Sequence, residues 1–442
     1  MRRSQAPGRL LHALLLCAST GLAGPSAAQE ESDPVGLLPQ ALDVVPVVDV
    51  RLRGGVDASR DLCAQPVPTT WFPVRGAVGV QAMALDRYGA KLTLGAAGAL
   101  GDRAAEPELF LDEALVEIRL PWGDSLTQAR IGRQAIEWLD GRLASVESFA
   151  QRPRRIDAIR LSAGLGLVDF DGFVAALDSQ QQLADLGRNA PRAAGDYLGA
   201  AAASWHLGTV LTLEGHALGH IVNALAALDD PDIPGDERRP TRIATIGLSL
   251  QIAPAAMLQL NSTVNLQVGE ARGLEHLAAD AGSRLSLIGP WPGRPTLLLG
   301  YDFSSGASHP LSNRSTAFDA PLAAIHTRFG AADMLRPSNA QDTWIAARVS
   351  SEESSLALSG RRLALASVDD SWIDGSGRAL VAAGSGATTL LGYEIDLEGN
   401  LKLAPGTTLE LLYAMFVPDG MARKEVGPRT AHRLLIGMSL AY

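Results

Sequence analysis

The sequence predicts an all-β fold: a transmembrane antiparallel β-barrel of about eighteen strands (16–18), preceded by a signal peptide. Three observations carry this expectation. Many stretches alternate apolar and polar residues with period two, the signature of a strand with two unlike faces. The chain opens with an export signal. It closes on "HRLLIGMSLAY", in which Leu434, Ile436, Met438, Leu440 and the terminal Tyr442 share one parity.

The opening segment has the three parts of a secretory signal: Arg2 and Arg3, an apolar run through Leu10–Leu16 broken by His12, then Ser26, Ala27 and Ala28 before "QEESD". Cleavage is expected after Ala28, leaving residues 29–442 as a single barrel domain. The apolar run is too short for a membrane anchor. Cys17 falls within the signal, and "LLLC" lacks the small residues that precede a lipidated cysteine. Cys63 then stands alone, so no internal disulfide is possible.

Taken in chain order, the strand patterns begin at 47–57, where Arg51 and Arg53 lie on the polar side. Patterns at 74–86 and 91–100 follow, then "LVEIRLPW", with Val116, Ile118 and Leu120 against Glu117 and Arg119. Next come 127–137, 155–163, 166–177, 197–206, 208–217 and 241–251. "MLQLNSTVNLQVG" sets Leu258, Leu260, Val264, Leu266 and Val268 against Gln259, Asn261, Thr263, Asn265 and Gln267. Strands are expected at 283–288, 296–303, 342–350 and 354–366. "TTLLGYEIDLEG" sets Leu391, Tyr393, Ile395 and Leu397 against Glu394, Asp396 and Glu398. "TTLELLYAMF" sets Leu409, Leu411, Tyr413 and Met415 against Thr408 and Glu410, and 432–442 ends the series.

"PWGDS", "SSEES" and "LAPGT" read as short turns. Residues 228–240, 304–341 and 368–386 read as long polar or Gly/Pro-rich loops. No stretch of 18 uninterrupted apolar residues follows the signal, so no transmembrane helix is predicted. Charged residues are only 19% of the chain, and the net charge of −10 gives no support for a nucleic-acid partner. Alternation also fits a soluble sandwich. The number of strands, the export signal and the final apolar-side aromatic favour the barrel, whose closure satisfies every edge in hydrocarbon. Aromatics at 5% are sparse for two interfacial girdles.

"ARIGRQAIEWLDGRLAS" followed by "RRIDAIRLSAGLGLVDFDGFVA" resembles the outer-membrane proteins of the alginate export family. Gly132, Arg133 and Gln134 carry one part of the likeness; Asp157, Arg160 and Leu161 carry the other. Later segments follow in order, over about residues 110–442. The resemblance implies a monomeric barrel in the outer membrane of a Gram-negative cell, with a basic, constricted lumen. Outer-membrane lipid and the assembly machinery, which reads such a final strand, are the partners expected of the barrel; the resemblance implies an anionic polysaccharide as the permeant, with a small anion as the alternative. No cofactor is expected. The chain departs from the family at Glu410 and Leu412, where alginate exporters are marked by arginines.

Strand parity and this resemblance give the candidate lumen residues: Arg51, Arg53, Arg130, Arg133, Arg160 and Arg433, with the carboxylates Glu113, Glu117, Glu394 and Asp396. Arginines suit a pore that passes carboxylates, because each stays charged and pairs bidentately. Arg133 has the opposite parity to Arg130, and a bulge at Gly132 would let both face inward. Arg152, Arg154 and Arg155 in "RPRRID" read as a basic turn. The "GDSL" at 123–126 begins an esterase motif around Ser125 but lacks the Asp-x-x-His pair, so it reads as a hairpin turn. "EGHALGH" (Glu214, His216, His220) has helical metal spacing but lies at a strand end, so no zinc site is expected. "GEARGLEH" and the histidines 276, 309 and 326 read as polar loop residues.

Overall fold

The structure, a computed structural model, describes residues 42–59, 62, 68–100, 108–122, 125–150, 152–177, 195–223, 239–307, 313–320, 322–384, 386 and 388–442. The expected signal peptide and its cleavage site, Cys17, Cys63 and His309 lie outside them.

The first nine strands are β1 (Leu42–Ala58), β2 (Thr69–Ala84), β3 (Tyr88–Leu100), β4 (Glu108–Trp122), β5 (Ser125–Gln134), β6 (Ile156–Leu165), β7 (Val168–Ala176), β8 (Asp196–Leu207) and β9 (Leu211–Val222). The chain continues through β10 (Thr241–Ala255), β11 (Leu258–Ala271), β12 (Leu274–Ile288), β13 (Thr296–Ser304), the two-residue β14 (Arg314–Ser315), β15 (Ala340–Ser350) and β16 (Ser354–Ala364). The short β17 (Trp372–Ile373) and β18 (Ala379–Val381) form a ribbon of their own, and β19 (Leu390–Ala404), β20 (Thr407–Pro418) and β21 (Ala431–Ala441) finish the wall. Apart from β14, β17 and β18, eighteen long strands each pair antiparallel with their neighbours along the chain. β21 then pairs back onto β1, from Ala441 opposite Asp49 to His432 opposite Ala58, so the barrel is closed. Val48 and Tyr442 exchange backbone hydrogen bonds of 2.8 Å, and the final aromatic is the last rung of the wall.

Alternation sets the two faces. Ile246 and Leu248 are each 61% exposed on the outside, beside Val264 at 59%, and comparable residues continue around the wall. A monomeric soluble protein rarely shows so continuous an apolar belt; around a barrel it is the surface that meets lipid. The exposed aromatics sit at the rims. Tyr88, Phe170, Trp205, Trp291 and Tyr442 lie exposed towards the short turns, and Phe72, Tyr197, Tyr301 and Tyr393 lie exposed towards the long connections. Placement compensates for their low number. In such barrels the short-turn rim faces the periplasm.

Three strand expectations change. β12 begins at Leu274 rather than 283, because its inward residues His276 and Asp280 are polar yet buried, at 2% and 0% exposure. "GEARGLEH" is therefore mostly strand, not loop. "EGHALGH" is wholly within β9, where even spacing puts Glu214, His216 and His220 on one face. Leu391 was expected outward with Tyr393 but is fully buried. A register shift between Leu363 and Ala364 slips the pairing there by one residue, which turns Leu391 into the core. Gly123 and Asp124 of "GDSL" lie outside the described residues; on either side of them Trp122 pairs with Ser125 across the ladder.

Candidate functional site: the lumen and its inward-folded loops

Two long connections fold into the barrel. In residues 135–155, Trp138 and Ala144 pair as an isolated bridge around a turn whose Leu139, Asp140 and Gly141 all have positive φ. Ile136, Trp138, Leu143 and Ala144 are buried against the inner wall of β6 to β9. Trp138 meets the Phe173 ring edge-on at 5.8 Å. Apolar side chains on a polar-facing lumen wall pack this loop inward, much as a core packs.

Residues 313–320 and 322–339 fold in from the other side. Ala144 and Leu322 form a parallel bridge between the two connections, and Ala324 N–H donates to the Gly141 carbonyl at 2.8 Å. Phe329, Met334 and Leu335 join a second apolar cluster with Trp372, Leu391 and Phe416. The Trp372 indole N–H donates to the Met334 carbonyl at 2.8 Å, which ties in the connection that carries β17 and β18.

Charges fasten the loops to the wall. Arg142 reaches Asp280 at 2.9 Å and also pairs with Asp302, while Arg328 approaches both aspartates. Burial works to lower the Arg142 pKa, but the two aspartates outweigh it and raise the value. Burial raises the Glu147 carboxyl, even though the Ile325 N–H donates to it at 3.2 Å. Burial lowers Arg154, which donates to the carbonyls of Ser145 and Leu322. Phe149 stacks on His326 with ring centres 3.5 Å apart, Arg53 lies 4.6 Å from the Phe149 ring, and His326 pairs with Asp333 at 2.9 Å.

Beneath the loops a cavity of about 1050 Å³ opens inside the wall. Seven arginines and six carboxylates border it among the described residues, a nearly balanced set. Arg51 donates to the backbone carbonyls of Ser148, Phe149 and Ala150; Arg53 pairs with Glu410 at 2.8 Å. Glu410 thus occupies the departure from the family by neutralising an arginine two strands along the same wall, across Gly437 of β21. Arg361 pairs with Asp342 and Asp396. Arg284 is left almost free, with Asp140 at 3.8 Å, and Arg348 has no ion-pair partner among the described residues.

The other expected lumen residues separate into groups. Arg130 lies 2.8 Å from Glu117, which also holds Arg119, and Lys91 pairs with Glu113. These groups line a smaller side pocket on β2 to β5. Arg160 stands opposite Arg130 in register but turns to Asp171 at 2.9 Å. Arg433 is buried between Asp57 and Asp333, and Glu394 is fully buried, accepting the Ala332 N–H at 2.9 Å. The ladders on both sides of β5 run through Gly132 without a register shift, although its φ is +124°. Arg133 therefore keeps the parity of the outward Ile131 and does not join Arg130. It is buried, held by both carboxylate oxygens of Asp157 at 2.8 Å. Arg155 pairs with Asp112 and Arg152 with Glu108, so "RPRRID" is a set of fastened arginines rather than a free basic turn.

Arg142, Asp280, Arg284, Asp302, Arg328 and Arg361 were not anticipated as lumen residues. Their signal was weak: Arg142 and Arg328 lie in connections, and Asp280 and Arg284 sit where the β12 pattern is blurred.

A closed wall with an apolar belt, aromatic rims and a polar interior defines an outer-membrane β-barrel with the fold of a channel. The chain belongs to the alginate export family, whose model matches residues 101–436. Its fold is similar to that of OccK5 (OpdH) of Pseudomonas aeruginosa, with a TM-score of 0.57 and 10% identity over 90% of this chain and 98% of that one. The outer membrane protein opdK of the same organism gives 0.57 at 11% identity, covering 90% and 99%. OccK3 (OpdO) gives 0.55 at 12% identity, covering 90% and 96%. At these identities the likeness is one of fold. No curated protein matches the chain by sequence.

Proposed function

We propose that the protein is an outer-membrane channel for anionic solutes, with an acidic saccharide as its permeant and no catalytic step. The observation that carries this reading is the state of the cavity's charges. Asp302, Asp396 and Glu410 are each held by arginines, whereas Arg284 and Arg348 face the cavity almost unpaired, with Glu398 across Ala357 from Arg348. Free guanidinium groups offer passing carboxylates weak, exchangeable stations, which permit movement where one tight site would stall it. Family membership supports the same class of permeant.

Uptake of small anionic solutes is a second reading. It is favoured by the two connections that occupy the lumen towards the long-loop rim, which leave less room for an extended chain. Current through single channels in planar bilayers tests both readings. Brief blockades by an oligouronate added on the periplasmic side support saccharide passage. Blockade by small dicarboxylates alone favours the second reading, and absence of conductance defeats both.

A further inference from the structure

The inner wall of β10, β11 and β12 carries two kinds of polar residue. Towards the long-loop rim, Thr245, Asn265 and Gln267 are fully buried and committed. Asn265 donates to Asp280 at 2.9 Å, and Gln267 donates to Thr245 at 3.0 Å and to the Asp319 carbonyl at 2.7 Å. Towards the short turns the pattern reverses. Gln251, Gln259 and Asn261 border the cavity, and their carboxamides have no partner among the described residues.

Register places two of these carboxamides in one row with Arg284. Gln251 stands opposite Asn261, and Asn261 stands opposite Arg284. Adjacent strands lie about 4.8 Å apart, so the row spans about 10 Å, the scale of a sugar ring with its substituents. Arg284 stands next to Gly300, and Gly300 next to Trp344. The Trp344 indole lies across Gly300, where a Cβ would come within 2.0 Å of its Cε2, and so brings an aromatic surface to the end of the row.

We propose that Gln251, Asn261 and Arg284, with Gln259 one inward position nearer the periplasmic rim, form a subsite for one acidic sugar unit. The carboxylate pairs with Arg284, and ring hydroxyls exchange hydrogen bonds with the carboxamides, which both donate and accept. Trp344 offers the apolar face against which a sugar's C–H surface packs. A simple anion uses only the arginine and a neutral sugar only the amides; an acidic sugar uses both. The subsite rests on the channel reading above and names its substrate at the level of residues.

Equilibrium dialysis of the folded protein in detergent tests it with trigalacturonate, maltotriose and the sugar-free tricarballylate. Wild type should bind trigalacturonate more tightly than either of the others. Gln251→Leu with Asn261→Leu should weaken trigalacturonate about tenfold, the scale of two neutral hydrogen bonds, and leave tricarballylate unchanged. Arg284→Gln should weaken both carboxylate ligands. If the leucine pair fails to fold, Gln251→Ala with Asn261→Ala repeats the comparison. Amide variants that leave trigalacturonate unchanged, or weaken it no more than tricarballylate, overturn the subsite. The expected binding pattern in a protein that passes no ions in bilayers keeps the subsite and removes the channel reading.

Discussion

Arg142 lies directly over Gly282: a Cβ at that glycine would stand 1.7 Å from the arginine's Nη2. Hydrogen in place of a side chain on β12 is what lets the tip of the 135–155 connection reach Asp280 and Asp302. Gly282→Ala should expel Arg142 and leave the fully buried Asp280 with Arg328, at 3.4 Å, as its one charged partner beside the hydrogen bonds from Asn265 and Ser304. A weakened buried pair of this kind costs about 1–3 kcal/mol. The expected outcome is a lower unfolding midpoint in detergent and a noisier, larger single-channel current.

The stack of Phe149 on His326 joins the two inward connections above the cavity, with Arg53 reaching in from β1. Aromatic pairing and a cation–π contact together are worth about 1–2 kcal/mol. Phe149→Ala should loosen the junction without touching the wall. Raised mean conductance with an unchanged strand signal by circular dichroism is expected.

Asp333 gives the loops a pH dependence. Burial pushes its carboxyl up, but hydrogen bonds from His326 and Arg433 and their charge hold it down, to about 2. The folded value lies below the unfolded one of about 3.9, so the stability it contributes is present above that pH and lost as pH falls towards 2. Unfolding midpoints measured from pH 6 to 2 should show this acid loss in wild type and a smaller one in Asp333→Asn.

Arg130 and Arg133 should respond differently to removal. Arg130 borders the side pocket beside Glu117, so Arg130→Ala should shift ion selectivity. Arg133 pairs with Asp157 on the opposite parity, at the ends of β5 and β6 where a charge costs little. Arg133→Ala should cost about 1 kcal/mol of stability and leave the reversal potential unmoved.

The barrel was legible because period-two alternation is a local property: "MLQLNSTVNLQVG" shows both faces of β11 without help from any neighbour. Inward residues of such strands follow by parity, which is how Arg51, Arg53, Glu117 and Asp396 were found. The loops were not legible. Nothing in "AIEWLDGRLAS" says that Trp138 packs into the lumen, because that depends on Phe173 and His216, which lie far along the chain. His276 misled for a related reason: a polar residue on a lumen face looks like a loop residue until Gln267 and Ser315 supply its partners. Arg133 shows the limit of motif reasoning. The likeness marks the residue, but the unbroken ladder through Gly132 decides its face.

The reversal potential across a planar bilayer in a potassium chloride gradient tests the central claim most directly. Arg284 and Arg348 face the cavity with little neutralisation, so wild type should give the sign of anion preference. Arg284→Glu with Arg348→Glu should carry it towards cations. Cation preference in wild type, or a potential that the double variant leaves in place, would contradict the account.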